Sequence, residues 1–462
     1  MQVKLILLLG IVVAQRIVSR TQIEVKGYSV EKVGLPRGLV PAGKGRFAYI
    51  EYWAQDKPKP GWYIECLNLD YFTQWSHYID LPQEGEGRSL RLIALKEGLV
   101  LFSYDEDPLA KGAKQEVARF YDLKGQPILP KWTIISTYDR PVSPTAAGIR
   151  VASDSTHFLW YAYQLSKKGL PERAWYAIWN QMGRKVSSSS DWSLSGVPLA
   201  IALDGKQGIW TIEQAADRSI AVMYYDPRAR TTRQWKFNAD TILYAPYLHI
   251  TNRAVYVAGF SPDQKTIPHT EGGFGRWIIG RLSFPLSDTS AFYWSTAPLP
   301  ADWYNLYKEP TSFTVREVLS LGDTALYVLW EDLRLRGGTA LAYDVWVVRW
   351  KKAGDTLAYG WAYRIEKRQK EPDLRLVSFL RGVSPTFLTI AFLTERTGKG
   401  KLLAYQINHQ TGEAVSKEMG TNAAGDLLIL PMEAAYLGPT EVVCFALPPP
   451  AKNGYQIYHI RL

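Results

Sequence analysis

The chain has little of the chemistry from which local enzyme signatures are built. Among 462 residues there are two cysteines, Cys66 and Cys444, and six histidines. No Cys-x-x-Cys or His-Glu-x-x-His spacing occurs, and His77, His157, His249, His269, His409 and His459 lie far apart, which excludes the local metal-binding motifs. There is no Gly-x-Ser-x-Gly elbow, and Ser187–Ser190 reads as a polar turn rather than a nucleophile. Gly272-Gly-Phe-Gly275 opens no helix and so lacks the N-terminal amides of a phosphate site. Asp105-Glu-Asp107 resembles half of a calcium loop without its later ligand positions, and reads as an exposed acidic turn. These absences leave no catalytic residue, metal or cofactor to expect. Two cysteines also exclude a disulfide scaffold, and their different strand positions favour two buried thiols over a bridge. Helical periodicity is nearly missing, and no apolar run reaches the about 20 residues that span a bilayer.

Short aromatic and β-branched strands fill the chain instead. Aromatics make up 13% of it, with 17 Trp and 28 Tyr. Roughly every 45 to 70 residues the same phrase returns: an alternating strand, a loop, a second strand, a polar turn, then a tryptophan. The leading strands are Phe47–Trp53, Leu99–Tyr104, Phe158–Tyr163, Gly208–Glu213, Ala254–Phe260, Ala325–Trp330, Phe387–Phe392 and Glu441–Ala446. Partner strands follow, such as Trp62–Leu67 and Glu116–Tyr121, then turns such as Asp122–Gly125, Asn180–Gly183 and Asn408–Gly412. Trp75, Trp132, Trp192, Trp235, Trp294 and Trp361 fall in the next strand, whereas Lys417-Glu-Met419 takes that place in the seventh unit.

Four strands per unit predict an all-β fold, a single β-propeller of eight blades, or seven if the last hairpin is not a full blade. The eighth unit ends before its outer strand. Thr21–Tyr28 alternates as a strand should and is expected to supply it, closing the ring and removing two open edges. Asp288–Pro310 reads as an irregular insertion between blades. The amino terminus, Met1–Lys4 followed by the apolar run Leu5–Ala14, reads as a signal peptide of residues 1–14, with the propeller occupying 15–462. Cleavage after Ala14 implies a secreted or periplasmic protein without a membrane span.

The net charge of +10 is spread among acids, with only short basic clusters such as Lys167-Lys168 and Lys351-Lys352. Nucleic acid is therefore not expected as a partner. A protein or carbohydrate ligand is, bound either in the axial funnel or on the loops that follow the leading strands. Those loops and strand ends carry Trp53, Asp56, Tyr104, Asp105, Asp107 and Tyr163 in the first three units. Glu213 follows in the fourth, and Glu331, Asp332 and Arg334 in the sixth. Aromatic rings there offer flat faces to sugars or apolar side chains. The competing expectation is an exported enzyme acting on polysaccharide, a glycoside hydrolase or lyase, for which Glu51, Glu213 and Glu331 are the carboxylates to consider. A quinoprotein-like oxidoreductase is the other enzymatic alternative.

The sixth unit, Trp330-Glu-Asp332-Leu-Arg334 followed by Tyr343-Asp-Val-Trp-Val-Val-Arg349, resembles a blade repeat of secreted bacterial β-propellers. The turn Asn408–Glu413 is similar to that of quinoprotein-type repeats. The resemblance implies the propeller fold and an exported bacterial protein; the sequence as a whole reads as a binding or structural module at the cell surface or outside the cell. It implies no catalytic residue. In the charged signature itself, Asp332 and Arg334 suit the bracing of a loop by a charge-assisted pair.

Overall fold

The computed structural model describes residues 24–30, 36–52, 59, 61–81, 88–105, 114–138, 147–166, 171–192, 194–215, 219–237, 243–262, 275–299, 312–336, 339–364, 376–383, 387–396, 399–418, 428–438, 441–447 and 455–461. The proposed leader, Trp53, Asp56 and Asp107 lie outside them.

The described residues are strands and turns, and the strands form antiparallel sheets of four. Strand β1 (Glu24–Val30) comes first in the chain and joins the last sheet. The first sheet is β2 (Arg37–Pro41), β3 (Arg46–Tyr52), β4 (Trp62–Asn68) and β5 (Thr73–Tyr78). The second is β6 (Arg88–Leu95), β7 (Gly98–Asp105), β8 (Lys114–Asp122) and β9 (Thr133–Tyr138). The third is β10 (Ala147–Ser153), β11 (His157–Leu165), β12 (Pro171–Asn180) and β13 (Lys185–Trp192). The fourth is β14 (Val197–Leu203), β15 (Ile209–Gln214), β16 (Ile220–Asp226) and β17 (Thr231–Phe237). The fifth is β18 (Tyr244–Ile250), β19 (Ala254–Pro262), β20 (Gly275–Ser283) and β21 (Tyr293–Pro298). The sixth is β22 (Ser312–Leu321), β23 (Ala325–Arg336), β24 (Thr339–Ala353) and β25 (Thr356–Arg364). The seventh is β26 (Leu376–Val383), β27 (Phe387–Arg396), β28 (Lys399–Asn408) and β29 (Ala414–Glu418). The last holds β30 (Leu428–Gly438), β31 (Glu441–Leu447) and β32 (Tyr455–Arg461), with β1 paired to β32 from Glu24↔Arg461 to Val30↔Tyr455.

First strands of successive sheets lie side by side: β2 on β6, β10 on β14, β14 on β18, β18 on β22, β22 on β26, β26 on β30, and β30 on β2. The second and third sheets join through a shared core in which Phe102 meets Phe158 and Trp160. This is an architecture of the β-propeller type. Each apolar layer lies between two sheets, so the second strand of a sheet is buried on both faces. That explains why strands such as Phe47–Ile50 and Leu326–Trp330, all buried, read as continuous apolar runs rather than alternating ones.

The recurrent turn and tryptophan are two halves of one contact between sheets. Asp122 Oδ1 accepts the backbone N–H groups of Lys124 and Gln126, both at 2.8 Å, and shapes the turn after β8. Across from it, Trp75 of the preceding sheet donates its indole N–H to Leu123 O at 3.4 Å. Gly125 stands beneath the ring with φ +80°, and a Cβ there would meet the indole at 2.4 Å. Glycine is needed both for the left-handed backbone and for the close approach. The sixth and seventh sheets repeat the arrangement. Asn408 shapes the turn, Trp361 donates to His409 O at 3.2 Å, and a Cβ on Gly412 would stand 2.9 Å from the indole.

Two sequence expectations need correction. Trp132 precedes β9 and donates to Asp80 O of the first sheet at 2.8 Å, so it does not occupy the outer strand. Asp288–Pro310 is not wholly an insertion, because Tyr293–Pro298 is β21, the fourth strand of the fifth sheet, with Trp294 opposite Gly280. The long Ser/Pro-containing approach to that strand hides its alternation. Cys66 is a buried free thiol whose pKa burial pushes up to about 12, against the lowering effect of Arg46.

Candidate functional site

Where first strands converge, they leave an open cavity of about 370 Å³. Arg91 of β6, Arg150 and Val151 of β10, Leu199, Ala200 and Ile201 of β14, and Pro246, Tyr247 and Leu248 of β18 line it, together with Phe102 and Tyr104 of β7. The lining residues hold one register. Arg91 pairs with Phe102, Arg150 with Tyr161, Ala200 with Ile212 and Tyr247 with Ala258, each partner lying in the core shared with the next sheet. A cavity built this way presents one side chain per sheet at each level.

Its chemistry is cationic and aromatic. Both arginines are exposed to it, and among the described residues neither has a hydrogen-bond or ion-pair partner. No carboxylate stands among the described lining residues. Tyr104 stacks on buried Phe102 with ring centroids 5.4 Å apart and planes at 14°, so the partly exposed Tyr104 ring forms an aromatic wall backed by the core. Burial, then the charge of Glu317, raises the pKa of Tyr247. On the same strand, burial lowers His249 to about 4, leaving a neutral imidazole 3.3 Å from Ser320 Oγ.

The residues singled out from the sequence scatter differently. Tyr104 lines the cavity. Tyr163 is buried against Tyr161, their centroids 6.1 Å apart, in the core between the third and fourth sheets. Glu213 is 1% exposed and occupied internally. Its Oε2 accepts Ser195 N and Ser195 Oγ at 2.8 Å and Gly196 N at 3.2 Å, and its Oε1 accepts Thr211 Oγ1 at 2.8 Å. Burial raises its pKa while those four donors oppose the rise. It therefore ties the connection between β13 and β14 to the core. Glu51 is likewise fully buried, in β3. Asp105 ends β7, and Glu331, Asp332 and Arg334 sit on β23, where Asp332 pairs in register with Phe313 and Asp344.

Arg91 and Arg150 were passed over as ordinary surface charge. Their signal was present: each is a cation with apolar residues on both sides in a first strand, Leu90-Arg-Leu-Ile-Ala-Leu95 and Ala147-Gly-Ile-Arg-Val-Ala152.

Fold and cavity together define a propeller-type protein with an arginine-bearing axial opening. No protein-family model matches the chain, and no curated protein sequence does. Solved structures similar in chain path include the β-propeller domain of the Trilobed protease from Pyrococcus furiosus, at 9% identity over 93% of this chain and 94% of that one, TM-score 0.38. The polysaccharide lyase Uly1 is similar at 9% identity over 83% and 91%, TM-score 0.41. The N-terminal domain of Nup159 is similar at 8% identity over 95% and 98%, TM-score 0.34. None of these similarities carries a residue role to this chain.

Proposed function

We propose that the chain is an exported, single-domain binding module, an eight-bladed propeller of residues 15–462 released from a leader that ends at Ala14. In this reading the axial cavity takes an anionic ligand between Arg91 and Arg150, with the phenols of Tyr104 and Tyr247 donating to it. One observation carries the proposal: two arginines face a cavity, and the described residues offer neither of them a counter-charge. An arginine fork engages a carboxylate, sulfate or phosphate through two parallel hydrogen bonds, and a partly enclosed site strengthens them. The glycoside hydrolase alternative finds less support, since it needs two carboxylates at its site and the described lining has none.

The test is calorimetric titration of the mature protein with carboxylate, sulfate and phosphate anions at low ionic strength. Binding is expected to weaken about 10- to 100-fold in R91A and in R150A, the size of a lost charge-assisted interaction. Equal affinity in wild type and both variants would remove the cavity from consideration. Terminal sequencing of exported protein should begin at Gln15.

A further inference from the structure

The row of arginines does not end at the cavity. On β2, Arg37 pairs with Ile50 as Arg91 pairs with Phe102 and Arg150 with Tyr161. Directly paired residues share one side of a sheet. Ile50, Phe102 and Tyr161 each lie in the core between their own sheet and the next, so the three arginines occupy one position on three successive first strands. Strands β2 and β6 come together at this level. Gly38, beside Arg37, has φ +65°, and a Cβ on it would lie 3.3 Å from Leu92 Cβ, beside Arg91. Arg37 is exposed, and among the described residues it too has no ion-pair partner. The segments Arg37–Pro41, Arg88–Leu95 and Ala147–Ser153 contain no acidic residue. Nor do those of β14 and β18; the first strands flanking this set do, with Glu317 on β22 and Glu433 on β30.

We propose that this row holds an extended polyanion, an acidic polysaccharide, whose one end lies in the cavity between Arg91 and Arg150 and whose chain continues over Arg37. The inference rests on the axial-cavity reading above. A single small anion reaches cations on neighbouring strands; because β6 stands between β2 and β10, a ligand that meets all three arginines carries charges at intervals along a chain. The aromatic wall decides the class. Tyr104 and Tyr247, both partly exposed, offer aromatic faces suited to pyranose rings, whereas a linear polyphosphate has no apolar face to set against them.

The experiment measures affinities of the whole mature protein for a monomeric uronic acid, uronate oligosaccharides of increasing length, linear polyphosphate and single-stranded DNA, using wild type, R37A and R91A. Circular dichroism checks that the surface substitution R37A leaves the fold intact. Affinity is expected to rise with oligosaccharide length. R37A should weaken the longer oligosaccharides about tenfold and leave the monomer unchanged, while R91A weakens both. If R37A changes nothing at any length while R91A still does, the extended ligand is wrong and the cavity stands. Tighter binding of polyphosphate or DNA than of oligosaccharide overturns the polysaccharide class. Absence of binding to every probe overturns both proposals.

Discussion

Single residues hold neighbouring sheets together in ways that composition alone does not reveal. Arg281 of β20, only 3% exposed, donates to Ser283 Oγ at 2.8 Å, to Asp355 O at 3.1 Å and to Asp323 Oδ1 at 2.9 Å. Asp323 also takes Lys352, so a carboxylate of the sixth sheet ties it to the fifth. Partial burial raises the Asp323 pKa, but the bonds and charges of Lys352 and Arg281 outweigh it, and the net shift is downward. The folded value therefore lies below the unfolded one, near 3.9. The stabilisation is fully present above that unfolded value and is lost as pH falls through the lower, folded one. Denaturant unfolding of wild type and D323N should show a constant stability gap at neutral pH that closes on acidification below about pH 4. A gap that widens in acid would contradict the assigned direction.

At the scale of elements, the decisive strand is β1. Its residues satisfy the outer edge of β32 over seven register pairs, from Glu24↔Arg461 to Val30↔Tyr455. Without it, β32 presents a free row of N–H and C=O groups, and the last sheet meets the first by packing alone. A chain shortened to begin after Val30 should melt at lower temperature and self-associate on size-exclusion chromatography, while one shortened only to Gln15 should do neither. The β1 pairing was legible beforehand, since Thr21–Tyr28 alternates and the last repeat lacks a strand. The fourth strand of the fifth sheet was legible only at Trp294, whose place in the repeat put it in a strand; the bounds were not, because Tyr293–Pro298 follows a turn-rich stretch that masks its period. Trp132 misled for the opposite reason: the residue type matched the repeat, while its indole turns back to Asp80.

Across the whole molecule, consecutive layers share cores, so opening one exposes the next. Cys66 sits fully buried between the first and second sheets, packed with Leu92 and Leu101. Its thiol, with a pKa near 12, supplies almost no thiolate at pH 8. In a C444S background, labelling of Cys66 by a thiol reagent should follow the global unfolding rate measured by tryptophan fluorescence, with the same denaturant dependence. Fast labelling without unfolding would show that the first two sheets separate independently.

Strand content, the four-strand repeat and the completion of the last sheet from the amino end were determined by the sequence alone. Each rests on local alternation and turn chemistry, which the chain carries wherever it goes. The candidate site was decided by tertiary structure. Glu213, a candidate ligand contact in the sequence, is surrounded by four donors on folding, and Tyr104 alone of the eleven residues singled out lines the cavity among those described. Arg37, Arg91 and Arg150 are separated by more than fifty residues at each step, and no local rule relates them. Folding brings Arg91 and Arg150 to one cavity and sets Arg37 on the strand packed against β6, because equivalent register positions recur on the first strands.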